Sequence, residues 1–157
     1  MADPAREPPT PTLVRVALGL LLVAFAGQIV LGHLVAFGLG GPLFAWHQDR
    51  VAVALWGSAS YGSEVAAYRG WIQALLGGTM ISYAWAMVFL VARPLRRRQP
   101  WAAWAVLVAT LNWFVVDTSI SAAHGVWVNV AFNTAALVST LIPLALLVPW
   151  LRAADRG

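Results

Sequence analysis

The sequence predicts an all-α protein: a four-helix transmembrane bundle of up-down topology, with both termini on the cytoplasmic side. Three observations predict it. Hydrophobic residues make up 61% of the 157 residues and charged residues 10%, where a soluble domain carries roughly 25% charged residues. The apolar residues fall in runs of about twenty or more, the length that crosses a hydrocarbon core of roughly 30 Å. The 10 basic residues are all arginine, and they flank those runs instead of striping a soluble face. That arrangement sets nucleic acid aside as a partner and marks membrane orientation instead.

Residues 1–11 hold Pro4, Pro8, Pro9 and Pro11 among mixed charges and read as a disordered tail. The membrane domain then covers 12–151, with 152–157 as a C-terminal tail. Its first span is expected over about 12–37, ended by Gly38, Gly40, Gly41 and Pro42. A cleaved signal peptide is the competing reading, since Arg15 precedes an apolar stretch and Ala24-Phe25-Ala26 has the form of a cleavage site. The apolar run continues for another dozen residues past Ala26, which favours an uncleaved anchor.

Residues 38–64 are apolar but interrupted by His47, Asp49 and Arg50, and are expected to form an interfacial loop with a short helix. Trp46 and Trp56 suit the membrane surface. The second span is expected over about 65–92, and 93–100, from Arg93 to Pro100, forms a basic turn. Pro94 and Pro100 bracket that turn and stop both helices.

From Trp101 to Leu151 the one acidic or basic residue is Asp117. A single helix of that length would extend roughly 75 Å, over twice the bilayer core, so the chain must fold back. Ala123-His124-Gly125 is the natural break, because glycine accepts the left-handed conformation that ends a helix. Spans of about 101–122 and 126–150 result, with a kink expected at Pro143.

Orientation follows from the arginines. Arg6, Arg15, Arg93, Arg96, Arg97, Arg98, Arg152 and Arg156 fall on one side, and Arg50 and Arg69 on the other. The positive-inside rule makes the first side cytoplasmic. The Arg96-Arg97-Arg98 run also suits contact with anionic lipid.

This orientation gathers the polar groups in the outer half of the bundle. His33, Arg69, Asp117 and Asn129 lie roughly 5–8 Å from the outer boundary, and Gln28, Gln73 and Asn133 one turn deeper. Asp117, Ile120, Ser121 and His124 share one helical face, as do Arg69 with Gln73 and Asn129 with Asn133. Those faces are expected to turn inward, because a polar group facing lipid tails is costly. A lone carboxylate at this depth needs a partner or a proton, and Arg69 is the matching partner by depth.

His33 and His124 stand near the outer surface on different helices, a placement from which haem or, with Asp117 or Glu64, a metal can be held. With no cysteine in the chain, thiol chemistry and covalent haem attachment are excluded, and no metal is assigned. Most tryptophans fall at the two boundaries as an aromatic belt. Gly77, Gly78, Gly27 and Gly32 are expected to allow close helix approach. No nucleotide-binding or hydrolase motif is present.

Three functional expectations follow. The first is a protein that binds a small or lipid-like molecule in an outward-facing pocket of Asp117, Arg69, Asn129, Asn133, Gln73, His33 and His124. The second is a structural or accessory subunit whose polar layer locks helix packing. The third is a membrane enzyme, carrier or haem or metal protein using Asp117 with His33 or His124. The expected partners are the lipid bilayer, a small-molecule or lipid ligand, and a second copy or a larger membrane complex. The layout resembles that of small bacterial multi-pass proteins, which implies the inner membrane.

Overall fold

The computed structural model describes residues 11–38, 41–58 and 62–154; of the expected tails, 1–10 and 155–157 lie outside them, and 152–154 continue the last helix. The helices are α1 Thr12–Phe37, α2 Gly41–Trp56, α3 Ser63–Leu90, α4 Pro100–Ala123 and α5 Trp127–Ala154, and α3 runs on through a π-helical turn, Val91–Leu95. There is no strand among the described residues. Four of these helices are long and apolar enough to cross a membrane: α1, α3 with its π turn, α4 and α5. The chain is thus a four-helix, up-down, multi-pass membrane protein.

The connections explain why the helices stop where they do. Gly38 takes a left-handed φ of 65° and returns its N–H to the Leu34 carbonyl, ending α1. Between α4 and α5, Val126 N–H bonds Ser121 O at 2.8 Å and Gly125 N–H bonds Ala122 O at 3.0 Å. With Gly125 at φ 70°, this is a Schellman turn, which satisfies the last carbonyls of a helix at a left-handed glycine. The long apolar stretch from Trp101 therefore reverses in a turn of His124 and Gly125.

The basic turn is more strained. Pro94 has no N–H to give to Leu90, and the backbone widens there, with Arg96 N–H reaching back to Val91 O at 3.3 Å. Arg98 then adopts φ 57°, a left-handed conformation that costs a non-glycine residue about 1–2 kcal/mol. Its guanidinium lies 4.9 Å from the centre of the Trp150 ring, a cation–π contact that helps offset this cost. Pro100 opens α4 at its first turn, where a missing N–H removes no helical bond.

Helix α1 packs along α3 and along α5, and α5 packs on α4, whereas α3 and α4 touch weakly. The side-chain core lies toward the arginine end, built on Leu21, Phe25, Val91, Leu95, Val106 and Leu147, all essentially inaccessible. Leu21 and Phe25 belong to the stretch that a signal-peptide cleavage after Ala26 would remove. Both are buried at the α1–α3–α5 junction.

Toward the other end α1 and α3 meet through glycine. A Cβ on Gly77 would sit 2.5 Å from both Gly32 O and Ala36 N, and one on Gly32 would sit 2.8 Å from Ile81 Cγ1. Gly27 and Gly78 have open space where a Cβ would go. Of the four glycines expected to allow close approach, Gly32 and Gly77 do so and Gly27 and Gly78 do not. Each residue step turns a helix by about 100°, so adjacent Gly77 and Gly78 cannot both face α1.

Helix α2 is a regular helix of 16 residues, longer than the short helix expected within this loop. Its His47 ring stands edge-on to Phe132 of α5 at 5.7 Å, and Ala52 is fully buried. Gln48 reaches from the same turn as His47 to α3. One turn of α2 thus joins α5 and α3 at the end of the bundle away from the arginine turn.

Candidate functional site

Two polar clusters occupy the half of the bundle nearer α2. The first joins α4 to α5. Asp117 and Ser121 lie one turn apart on α4, and Asn129 and Asn133 one turn apart on α5. Asn129 Nδ2 donates to Asp117 Oδ1 at 2.9 Å and to Ser121 Oγ at 2.8 Å, and Ser121 Oγ donates to Asp117 Oδ1 at 3.2 Å. A turn deeper, Asn133 Nδ2 donates to Thr118 Oγ1 at 3.2 Å. Ser121 and Asn133 are buried, so these rungs satisfy groups that lipid cannot.

Both donors converge on Oδ1. The other carboxylate oxygen, Oδ2, accepts from no described residue. Asp117 also lines a cleft of about 390 Å³ together with Asn112, Trp113, Val116 and Ile120. At about 100° per residue, Trp113, Val116 and Ile120 lie on one side of Asp117 around α4, and Thr118, which meets α5, lies on the other. The cleft therefore runs along the flank of α4 that α5 leaves free.

All five lining residues belong to α4, which α3 touches only weakly. The hydroxyls of Tyr83 and Thr110 meet at 3.1 Å near mid-bundle and bridge the two helices there. Asn112 begins the cleft just beyond that bridge. Asp117 thus has one oxygen held by Asn129 and Ser121 and stands at the edge of a mostly apolar depression on α4.

The second cluster joins α2 to α3. Arg69 Nη2 donates to Gln48 Oε1 at 2.6 Å, and Gln48 Nε2 donates to Gln73 Oε1 at 3.2 Å. This arrangement replaces the expected Asp117–Arg69 pairing: no ion pair between the two exists among the described residues, and the protein donors to Asp117 are neutral. The two residues match in depth, but Arg69 is drawn to α2 and Asp117 to α5. Gln48 had no place in the sequence-derived set. Its one signal there was its position beside His47 and Asp49 in the loop that must cover the outer end.

The histidines are placed differently again. His33 Nδ1–H donates to Ile29 O at 2.8 Å and His124 Nδ1–H to Ile120 O at 2.9 Å, each within its own helix. Both are exposed. No group of three or more His, Cys, Asp or Glu residues suited to a metal ion occurs among the described residues. The site brought together is thus Asp117, Ser121, Asn129, Thr118 and Asn133, with Trp113 beside it; Arg69 and Gln73 form the separate α2 clasp. His47, outside the spans, has its imidazole pushed below the ordinary value of 6.5 by burial.

These features define a helical multi-pass membrane protein with a polar rung and a lateral cleft on one helix. Compared with known protein families, curated proteins and solved structures, the chain matches none.

Proposed function

We propose that this protein binds a small amphiphilic molecule in the α4 cleft, with Asp117 as its polar anchor. Its setting in this reading is a bacterial inner membrane, with the arginine turn on the cytoplasmic side and the cleft in the outer half. The observation that carries the reading is the divided carboxylate: Oδ1 is fixed by Asn129 and Ser121 while Oδ2 has no described protein donor. The carboxylate therefore keeps acceptor capacity beyond what the α4–α5 rung uses. Val116 and Ile120 supply an apolar surface for the rest of the ligand, which reaches this open flank of α4 sideways from the bilayer.

The experiment is mass spectrometry of small molecules that co-purify with the wild type and with Val116→Trp. Val116 is half exposed on the cleft wall and makes no hydrogen bond through its side chain, so a tryptophan there fills the groove and spares the rung. The expected result is a molecule depleted by about tenfold or more in the variant, at an unchanged melting temperature. Equal retention in both proteins would contradict the reading.

A second reading has its own support. The rungs from Asp117 to Asn129 and from Thr118 to Asn133 tie α4 to α5, as interhelical hydrogen bonds do in membrane bundles. In that reading the protein is an accessory subunit and the polar layer is a lock.

A further inference from the structure

We infer that the bound molecule carries the positive charge this site lacks: an amphiphile with a single alkylammonium head. The inference rests on the binding reading above and adds the chemistry of the head group. Asp117 lies about six residues inside the end of α4, roughly 9 Å along the axis, in a helix apolar enough to span the membrane. A cation beside a carboxylate at such a place stabilises its charged form. The hydrogen bonds it receives come from a neutral hydroxyl and a neutral amide, and in both of them it is the acceptor. Arg69, the cation at comparable depth, donates to Gln48 on α2.

Trp113 makes the choice of cation more specific. It lines the cleft one helical turn from Asp117, so the two share a flank of α4. An indole on the same helix flank as a carboxylate suits an organic ammonium group, because a ring quadrupole attracts a weakly hydrated cation. Val116 and Ile120 beside them are apolar and half exposed. They favour one alkyl-substituted charge over a hydrated metal ion or a polyamine. An uncharged head can bond Oδ2 but leaves the charge unmet, and an anionic head is repelled.

The test uses the whole protein in a non-ionic maltoside detergent, titrated calorimetrically with decyltrimethylammonium, decanol and decyl sulfate against protein-free micelles. The alkyl chain is constant and the head group varies. Decyltrimethylammonium is expected to bind about tenfold or more tightly than decanol, with decyl sulfate weakest. Asp117→Asn is expected to abolish that preference, bringing decyltrimethylammonium down to the level of decanol. Trp113→Leu, which leaves the rung intact, is expected to weaken the ammonium probe more than decanol. Equal binding of ammonium and decanol, still sensitive to Val116→Trp, would overturn the charge inference and leave the binding reading standing. Binding of every probe that is indifferent to Val116→Trp would overturn both.

Discussion

Asn129 Nδ2 lies 2.9 Å from Asp117 Oδ1 and 2.8 Å from Ser121 Oγ, so one amide on α5 holds two groups on successive turns of α4. Replacing Asn129 with Leu removes both bonds and leaves the carboxylate without an interhelical donor. A loss of about 1–2 kcal/mol is expected, the upper part of the range for polar contacts between membrane helices. Reversible unfolding in mixed micelles measures it, and a loss below a few tenths would contradict the rung.

Asp117 and Arg69 should behave as independent residues. Their hydrogen bonds go to different helices, so a double-mutant cycle of Asp117→Asn with Arg69→Ala is expected to give a coupling below about 0.5 kcal/mol. The cycle of Arg69→Ala with Gln48→Ala should give a larger value, since Arg69 and Gln48 are 2.6 Å apart. Strong coupling in the first cycle would show that the two clusters are one.

Neighbouring glycines on α3 should differ sharply. Gly77→Ala drives a methyl to 2.5 Å from the α1 backbone at Gly32 and Ala36, and the helices must part at a cost of about 1–3 kcal/mol. Gly78→Ala meets nothing and should stabilise the helix by about 0.5–1 kcal/mol. Melting temperatures of the two variants in one detergent check this; equal shifts would contradict the α1–α3 contact.

The seating of α2 should weaken in acid. Burial lowers the His47 pKa below 6.5, so the neutral imidazole is the form that packs on Phe132. Its contribution is complete above 6.5 and is lost as pH falls from there through the lowered folded value. The chain has no cysteine, which permits single-cysteine reporters. Labelling of Ala52→Cys on the buried face of α2, relative to the exposed Ala54→Cys, should rise over that window. His47→Phe keeps the ring contact without the charge and should flatten the response.

Much of the fold could be read from hydropathy because membrane spans obey length and charge rules that do not depend on tertiary contacts. The Gly38 stop and the Gly125 reversal were legible for the same reason: each follows from local backbone conformation. What stayed hidden was azimuth. Depth put Arg69 beside Asp117, and adjacency put Gly78 beside Gly77, but neither indicates which way a helix is rotated about its axis. The Asp117–Ser121 pair was visible as a one-turn spacing on one helix. Gln48 was not, because its role depends on α2 folding back over α3.

The most direct measurement takes bound ligand and melting temperature from the same preparation of Asp117→Asn. An amide at this position keeps an acceptor for Asn129 and Ser121 but removes the carboxyl group that the binding reading needs. The expected result is a protein that melts within a few degrees of the wild type and retains less than about a tenth of its co-purifying amphiphile. A protein that keeps its full complement of bound molecules, or that fails to fold while Asp117→Asn combined with Asn129→Asp restores it, would make the carboxylate a clasp between α4 and α5 and not a binding site.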